Sequence, residues 1–341
     1  MLKIRTDLPD GLLQSESTEL QSLLGAPTLI HLPGRREEPL FVSILLHGNE
    51  TTGWHAVQGL LRKYQEQSLP RALSLYIGNV SAAAEGLRRL DGQPDYNRVW
   101  PGTEEPGSPE AHMMQQVVDE MRQRKVFASI DVHNNTGINP HYGCINRIDH
   151  RFFHLATLFS RTVVYFTRPT GVQSTAMAQY CPAVTVECGK VGQAYSDQHA
   201  MEFLDASLHL AEIPEHPIAE HDIDLFHTVA TVKVPEQFSF GFGEHEHEIL
   251  FEDDLDHLNF RELKQGTRVG RVAGEGAARL QVLDNEKRDV SDQFFSYEDN
   301  EIRTARPVMP SMLTLDERVI RQDCLCYLME RYRIDVPGEP A

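Results

Sequence analysis

Between about residues 28 and 210 the chain alternates short apolar runs with segments of helical period, and no other feature of its 341 residues constrains the fold as much. The runs are LFVSILLH (40–47), ALSLYIGN (72–79), VFASIDVH (126–133), TVVYFT (162–167) and AVTVEC (183–188). Their length and β-branched content suit strands covered on both faces. Helices fit between them. In residues 50–65, Trp54, Val57, Leu60, Leu61 and Tyr64 fall on one face. In residues 108–124, Met114, Val117, Val118 and Met121 make an apolar stripe, Ser108 is placed to cap, and Pro109 suits the first helical position. Residues 198–211 read as a closing helix. Strands alternating with helices predict an α/β fold, a sheet flanked by helices.

After Pro214 the texture changes. IPEHPIAEHD (213–222) is a connector rich in proline and charge, and TVATVKVP, EILFEDDL, TRVGRVAG and ARLQVLD follow as short two-periodic segments. The expected organisation is a catalytic domain over residues 1–215 and a smaller β-rich domain over 222–341. With 32 Lys+Arg against 50 Asp+Glu the net charge is −18, which argues against a nucleic-acid binder because phosphate would be repelled. The N-terminal MLKIRTDLPDGLLQ lacks the apolar core of a signal peptide, and no later stretch approaches membrane-spanning length. The five cysteines (Cys144, Cys181, Cys188, Cys324, Cys326) form no CxxC pair, which indicates neither a disulfide framework nor a zinc finger, and Cys324 and Cys326 read as buried thiols. The expectation is a soluble, reduced, cytoplasmic protein that touches neither nucleic acid nor membrane. Whether it forms a homo-oligomer stays open.

The chemistry begins at His47-Gly48-Asn49-Glu50, where a buried strand gives way to a helix. Ligands of open α/β sheets usually bind at the carboxyl ends of strands. A catalytic zinc needs three protein ligands and an open position. His133, at the end of another strand in SIDVHNNTG, completes a His₂Glu set of His47, Glu50 and His133. Taken singly, HGNE is a tight turn and His133 a core imidazole; the combination is what points to a metal. Asp131 projects from the same strand face as His133 and is placed to orient a ligand imidazole. Glu187 ends the otherwise apolar strand PAVTVE and is the candidate base, since burying a lone carboxylate is expensive. Arg88, Arg89, Asn97 and Arg98 share one connection, GLRRLDGQPDYNRVWPG, and suit an anionic, carboxylate-bearing substrate.

HGNET, the Asn-Arg pair of DYNRVWPG, DVHNNTG and VECGK, in this order and spacing, resemble the succinylglutamate desuccinylase/aspartoacylase family, a branch of the zinc carboxypeptidase superfamily. The motifs span roughly residues 40–195, and HLNFRELKQGT (257–267) is similar to that family's C-terminal β-domain. The resemblance implies a zinc-carboxypeptidase-like mixed sheet and one Zn²⁺ on His47, Glu50 and His133. It further implies Glu187 as general acid/base, Arg88 as stabiliser of the oxyanion, and Asn97 and Arg98 as the clamp on a substrate carboxylate. Arg89 remains the alternative to Arg88. ECGK resembles the desuccinylase version and DVHNNTG the aspartoacylase version. The arginine that precedes the catalytic Glu in aspartoacylases has no counterpart in STAMAQYCPAVTVE, which argues against an aspartate-type substrate; Arg168 is the substitute from another position.

The remaining motifs read as background. GFGEHEHE (241–248) is a solvated β-strand and EDDLD (252–256) a surface run. Asn134-Asn135-Thr136 matches a glycosylation sequon, but its place beside His133 makes Asn134 a candidate substrate-binding residue. The leading expectation is a zinc-dependent deacylase that cleaves an amide beside a carboxylate. The alternatives are a metallocarboxypeptidase for short peptides and a non-catalytic carboxylate- or metal-binding protein.

Overall fold

The computed structural model describes residues 1–243, 247–274 and 278–334. They divide into two compact units, one of residues 1–134 and 141–224, the other of residues 135–140 and 225 onward. Strands of the first unit are β1 (Lys3–Arg5), β2 (Thr28–Leu32), β3 (Leu40–Ile44), β4 (Leu73–Ile77), β5 (Ala128–Asn135), β6 (Tyr142–Ile145), β7 (Thr162–Tyr165) and β8 (Ala183–Lys190). They lie side by side in the order β1-β2-β4-β3-β5-β8-β6-β7. The sheet is mixed: β3 runs parallel to β4 and β5, while β2 is antiparallel to β4 and β6 to β8. This is the α/β arrangement that the alternating pattern predicts.

Its helices are α1 (Leu20–Leu24), α2 (Thr52–Lys63), α3 (Val80–Ala84), α4 (Pro109–Gln123), α5 (His150–Thr157), α6 (Gln173–Met177) and α7 (Ala194–His209). Trp54, Val57, Leu60 and Leu61 of α2 are buried, as are Met114, Val117, Val118 and Met121 of α4. The Ser108 side chain accepts the Ala111 N–H at the start of α4, which is the expected cap. Tyr64 leaves the core and donates its hydroxyl to Asp205 of α7. Helix α7 begins at Ala194 and ends at His209, four residues before the expected start at 198 and two before the expected end at 211.

In the second unit, β9 (Asp224–Lys233) pairs with β13 (Gln281–Asp284) on one side and β17 (Cys326–Arg331) on the other, and β16 (Met309–Ser311) follows β17. A five-stranded sheet runs β10 (Phe240–Phe242), β11 (Ile249–Phe251), β12 (Arg268–Val272), β15 (Glu301–Thr304), β14 (Phe295–Glu298). Helices α8 (Ser291–Phe294) and α9 (Glu317–Gln322) are short. Phe251, Val282, Ile302 and Leu328 belong to one apolar core here.

Two background readings change. Of the 241–248 run, Glu244, His245 and Glu246 lie outside the described residues, and His247 and Glu248 fall between β10 and β11 rather than on a strand. In the acidic run, Asp256 is not a surface residue: it is 3% exposed and accepts the Ile138 N–H. A buried carboxylate needs a donor, and the Ile138 N–H supplies one. All five cysteines are buried, and none is in a disulfide. Among the described residues no helix is long and apolar enough to cross a membrane.

Candidate metal centre

His47 and Glu50 sit on the turn between β3 and α2, in the order strand, tight turn, helix. Gly48 is required there. A Cβ at this position would lie 2.2 Å from the Ala83 nitrogen of α3, and the Gly48 N–H donates to the Arg88 carbonyl. The turn is therefore pressed against α3 and tied to the arginine-bearing connection behind it. That connection is itself pinned, because Gln93 accepts from Asn79 and from the Leu90 N–H.

His133 reaches the same place from the end of β5. The ligand atoms of His47, Glu50 and His133 all lie within 4.8 Å of one another, and all three residues are buried. Their arrangement is specific in atoms. His47 Nδ1 is 2.8 Å from Glu50 Oε1, and His133 Nδ1 is 2.7 Å from Glu50 Oε2. The other ring nitrogens face carboxylates: His47 Nε2 is 2.9 Å from Asp95 Oδ1, and His133 Nε2 is 2.8 Å from Asp131 Oδ2. Ser43 donates to the second Asp131 oxygen at 2.6 Å. An imidazole whose Nε2–H is fixed by an acid presents its Nδ1 lone pair, the form in which histidine binds a cation. Two nitrogens and a carboxylate turned toward each other are the donor set of a zinc site. Thus these residues fit the ion that the sequence implies.

The electrostatics agree. Burial alone would raise Glu50, but His47 and His133 hold its carboxyl well below the usual carboxylate range. Burial and Arg88 oppose a charged His47, yet Glu50 and Asp95 outweigh them and raise it. Burial likewise opposes a charged His133, and Asp131 and Glu50 raise it well above the ordinary value. Without a cation the cluster therefore keeps protons on its imidazoles, and those are what a metal displaces. Glu187, on β8, is 5% exposed; burial pushes its carboxyl up to about 7, against the pull of His133. Glu50, His47 and Asp131 also act on it, so its electrostatic surroundings are those of the metal cluster.

Of the two adjacent arginines, Arg88 faces this cluster. Its guanidinium is 3.0 Å from Asp95 Oδ2 and 3.5 Å from Glu50 Oε1, whereas Arg89 donates to the Gln93 carbonyl. Asn97 is buried with its amide nitrogen 3.3 Å from His133 Nε2, and its amide oxygen accepts the Gln173 N–H from the start of α6. Arg98 is half-buried; it donates to the Asn97 carbonyl, and its charge helps to lower Asp95. Asn134 bridges two sides of the site, accepting the Thr52 N–H and donating to the Thr52 hydroxyl and the Gly189 carbonyl. Its own backbone N–H donates to Glu50. Arg168 pairs with Glu104 at 3.6 Å. Asp95 and Ser43 escaped the sequence reading. Asp95 lies inside the arginine connection, two residues before Asn97, and an acid amid those cations was its only signal.

A family profile described as succinylglutamate desuccinylase/aspartoacylase catalytic domain matches residues 39–213. Solved structures share the fold at low identity. The succinylglutamate desuccinylase of Chromobacterium violaceum is 18% identical with a TM-score of 0.57, over 89% of this chain and 87% of that one. Murine aminoacylase 3 is 14% identical with a TM-score of 0.56, over 88% of this chain and 97% of that one. The ectoine utilization protein EutE (DoeB) of Ruegeria pomeroyi, solved with product bound, is 16% identical with a TM-score of 0.56, over 89% and 88%. By sequence the chain matches no curated protein.

Proposed function

The chain belongs to the succinylglutamate desuccinylase/aspartoacylase family of deacylating hydrolases, and from that premise we propose that it is a zinc-dependent enzyme that cleaves the amide bond of an N-acyl amino acid or a related carboxylate-bearing substrate. The observation that carries the proposal is the convergence of His47 Nδ1 and His133 Nδ1 on the Glu50 carboxylate, with an acid behind each ring. His47, Glu50 and His133 would hold the zinc, which when bound polarises the scissile carbonyl and makes water acidic enough to attack near neutral pH.

The protein groups do the rest. Glu187 accepts the proton of the attacking water and returns it to the leaving amine; burial, which lifts its carboxyl to about 7, suits it to both tasks near neutrality. Arg88, aimed into the cluster by Asp95, takes up charge on the carbonyl oxygen as it develops. Asn97 and Arg98 bind the substrate carboxylate. Asn134 serves binding from behind, by keeping the start of α2 and the end of β8 together around the substrate. Five buried cysteines without a disulfide suit a reducing cytoplasm.

Metal analysis of purified protein challenged with zinc should give one ion per chain, and N-acyl amino acids should be hydrolysed in preference to dipeptides. A preference for dipeptides would make it a carboxypeptidase. Zinc-loaded protein that turns over neither set would be a binding protein instead.

A further inference from the structure

We propose that His141 is a positioning residue for Glu187, its ring locking the bend at the end of β8 to the first turn of α7; this rests on the reading of Glu187 as the base. A base has to stand within hydrogen-bond reach of the proton it takes, and a shift of about 1 Å can cost roughly 100-fold in rate. What holds the strand just past Glu187 therefore matters. Antiparallel pairing sets Tyr142 of β6 opposite Glu187 of β8. His141, one residue earlier, thus comes beside the residues that follow Glu187. The backbone bends there: Gly189 has φ +69°, a left-handed conformation that glycine adopts without strain. A Cβ on Gly189 would stand 3.5 Å from His141 Cδ2 and 3.6 Å from its Nε2, so the edge of the imidazole packs directly on the bend.

The rest of the ring is held by α7 and by the loop after α5. Ser196, fully buried in the first turn of α7, has its hydroxyl hydrogen-bonded to His141 Nε2 at 3.0 Å. Tyr195 and His199, one helical turn apart, stack on the same imidazole with ring centroids 5.4 and 4.9 Å away and interplanar angles of 26° and 18°. Phe159, after α5, stacks on it at 5.7 Å. Burial and His199 lower the pKa of the imidazole, so near pH 7 the ring is neutral and has a nitrogen able to accept from the Ser196 hydroxyl. Asn134 holds the bend separately, by donating to the Gly189 carbonyl. None of the ring's contacts described here is with His47, Glu50 or His133. Loosening the ring therefore moves the base and leaves the metal set in place.

Two variants remove the same bond from opposite ends. His141→Phe keeps a stacking ring, and Ser196→Ala takes away the buried hydroxyl. In zinc-loaded protein each should lower kcat for an N-acyl amino acid roughly 10–100-fold, with KM and zinc affinity (from competition with a chelator) unchanged. The double variant should be no slower than the slower single one, because a single interaction is lost in all three. His141→Gln, whose amide can still accept from Ser196, should recover most of the rate. Should His141→Phe fail to fold, Ser196→Ala alone carries the test. Parental kcat in the folded variants overturns the inference, as does His141→Gln no faster than His141→Phe, or a loss shared equally by kcat, KM and zinc affinity. All three outcomes leave the base reading standing. Absence of turnover in the zinc-loaded parent, or near-parental turnover in Glu187→Gln, overturns the reading of Glu187 and this inference with it.

Discussion

The two units treat charge in opposite ways. In the first, Glu50, Asp131, Glu187, His47 and His133 are all buried, in contact or in each other's field. In the second, the core that includes Phe251, Val282, Ile302 and Leu328 is apolar, and the ion pairs lie on the outside: Arg331 with Glu262, Arg306 with Glu330, Arg268 with Glu252 and Glu301. Taking charges out of water costs several kcal/mol each unless partners compensate. A fold that only needed stability would adopt the second pattern throughout. Isolated exceptions occur in both units, Arg71 in the first and Asp256 in the second, but buried acids and imidazoles gather around His47, Glu50 and His133, where the chemistry is proposed.

Glu187→Gln presses hardest on the contrast. It keeps the shape of the side chain and removes the base, so turnover should fall roughly 10²–10⁴-fold while zinc remains bound. A steady-state assay on zinc-loaded variant with near-parental rates would mean that the buried charge of the first unit is structural after all. In the second unit the large effect should instead be on folding: Ile302, fully buried, becomes a cavity in Ile302→Ala, and denaturant unfolding should register a loss of about 2–5 kcal/mol.

The pH dependence separates the units next. Glu187 is raised from an ordinary 4.5 to about 7, so between those values the folded chain keeps a proton that the unfolded chain releases. Its contribution to stability is complete below about 4.5 and lost as pH rises through 7, a change of about 3 kcal/mol. Comparing metal-free parent and Glu187→Gln by urea melts across this window should reveal the slope in the parent and a flatter curve in the variant; equal slopes would refute the assignment. Zinc affinity runs the other way. His47 and His133 must lose protons to bind, so affinity should climb with pH beyond the range of an ordinary histidine, as isothermal titration at stepped pH would show. Least affected should be Glu262→Gln, at an exposed pair, where a change above about 1 kcal/mol would contradict the outward placement of charge in the second unit.

Legibility of the site followed the range of the interactions. His47 and Glu50 are three residues apart on one turn, so their pairing is local and can be read from HGNE. The end of β5 marks His133 because an apolar strand stops there. That Arg88 rather than Arg89 meets Glu50 follows from the Gly48 tie to the Arg88 carbonyl and the Gln93 bond to Arg89, neither of which has a periodic signature. YGCI of β6 and QSTAM of α6 carry neither a β-branched apolar run nor a helical stripe, so neither element is legible in the sequence.

Local periodicity and turn chemistry in the amino-acid order determined which segments become strands and helices, and which residues stand at strand ends. Only the tertiary structure decided that the ends of β3 and β5 and the connection after α3 meet at one point, with Asp95 behind one imidazole and Asp131 behind the other. The physical reason is reach: hydrophobic periods and caps act over a few residues, whereas the contact between positions 47 and 133 depends on the order in which strands pair, which no local pattern encodes.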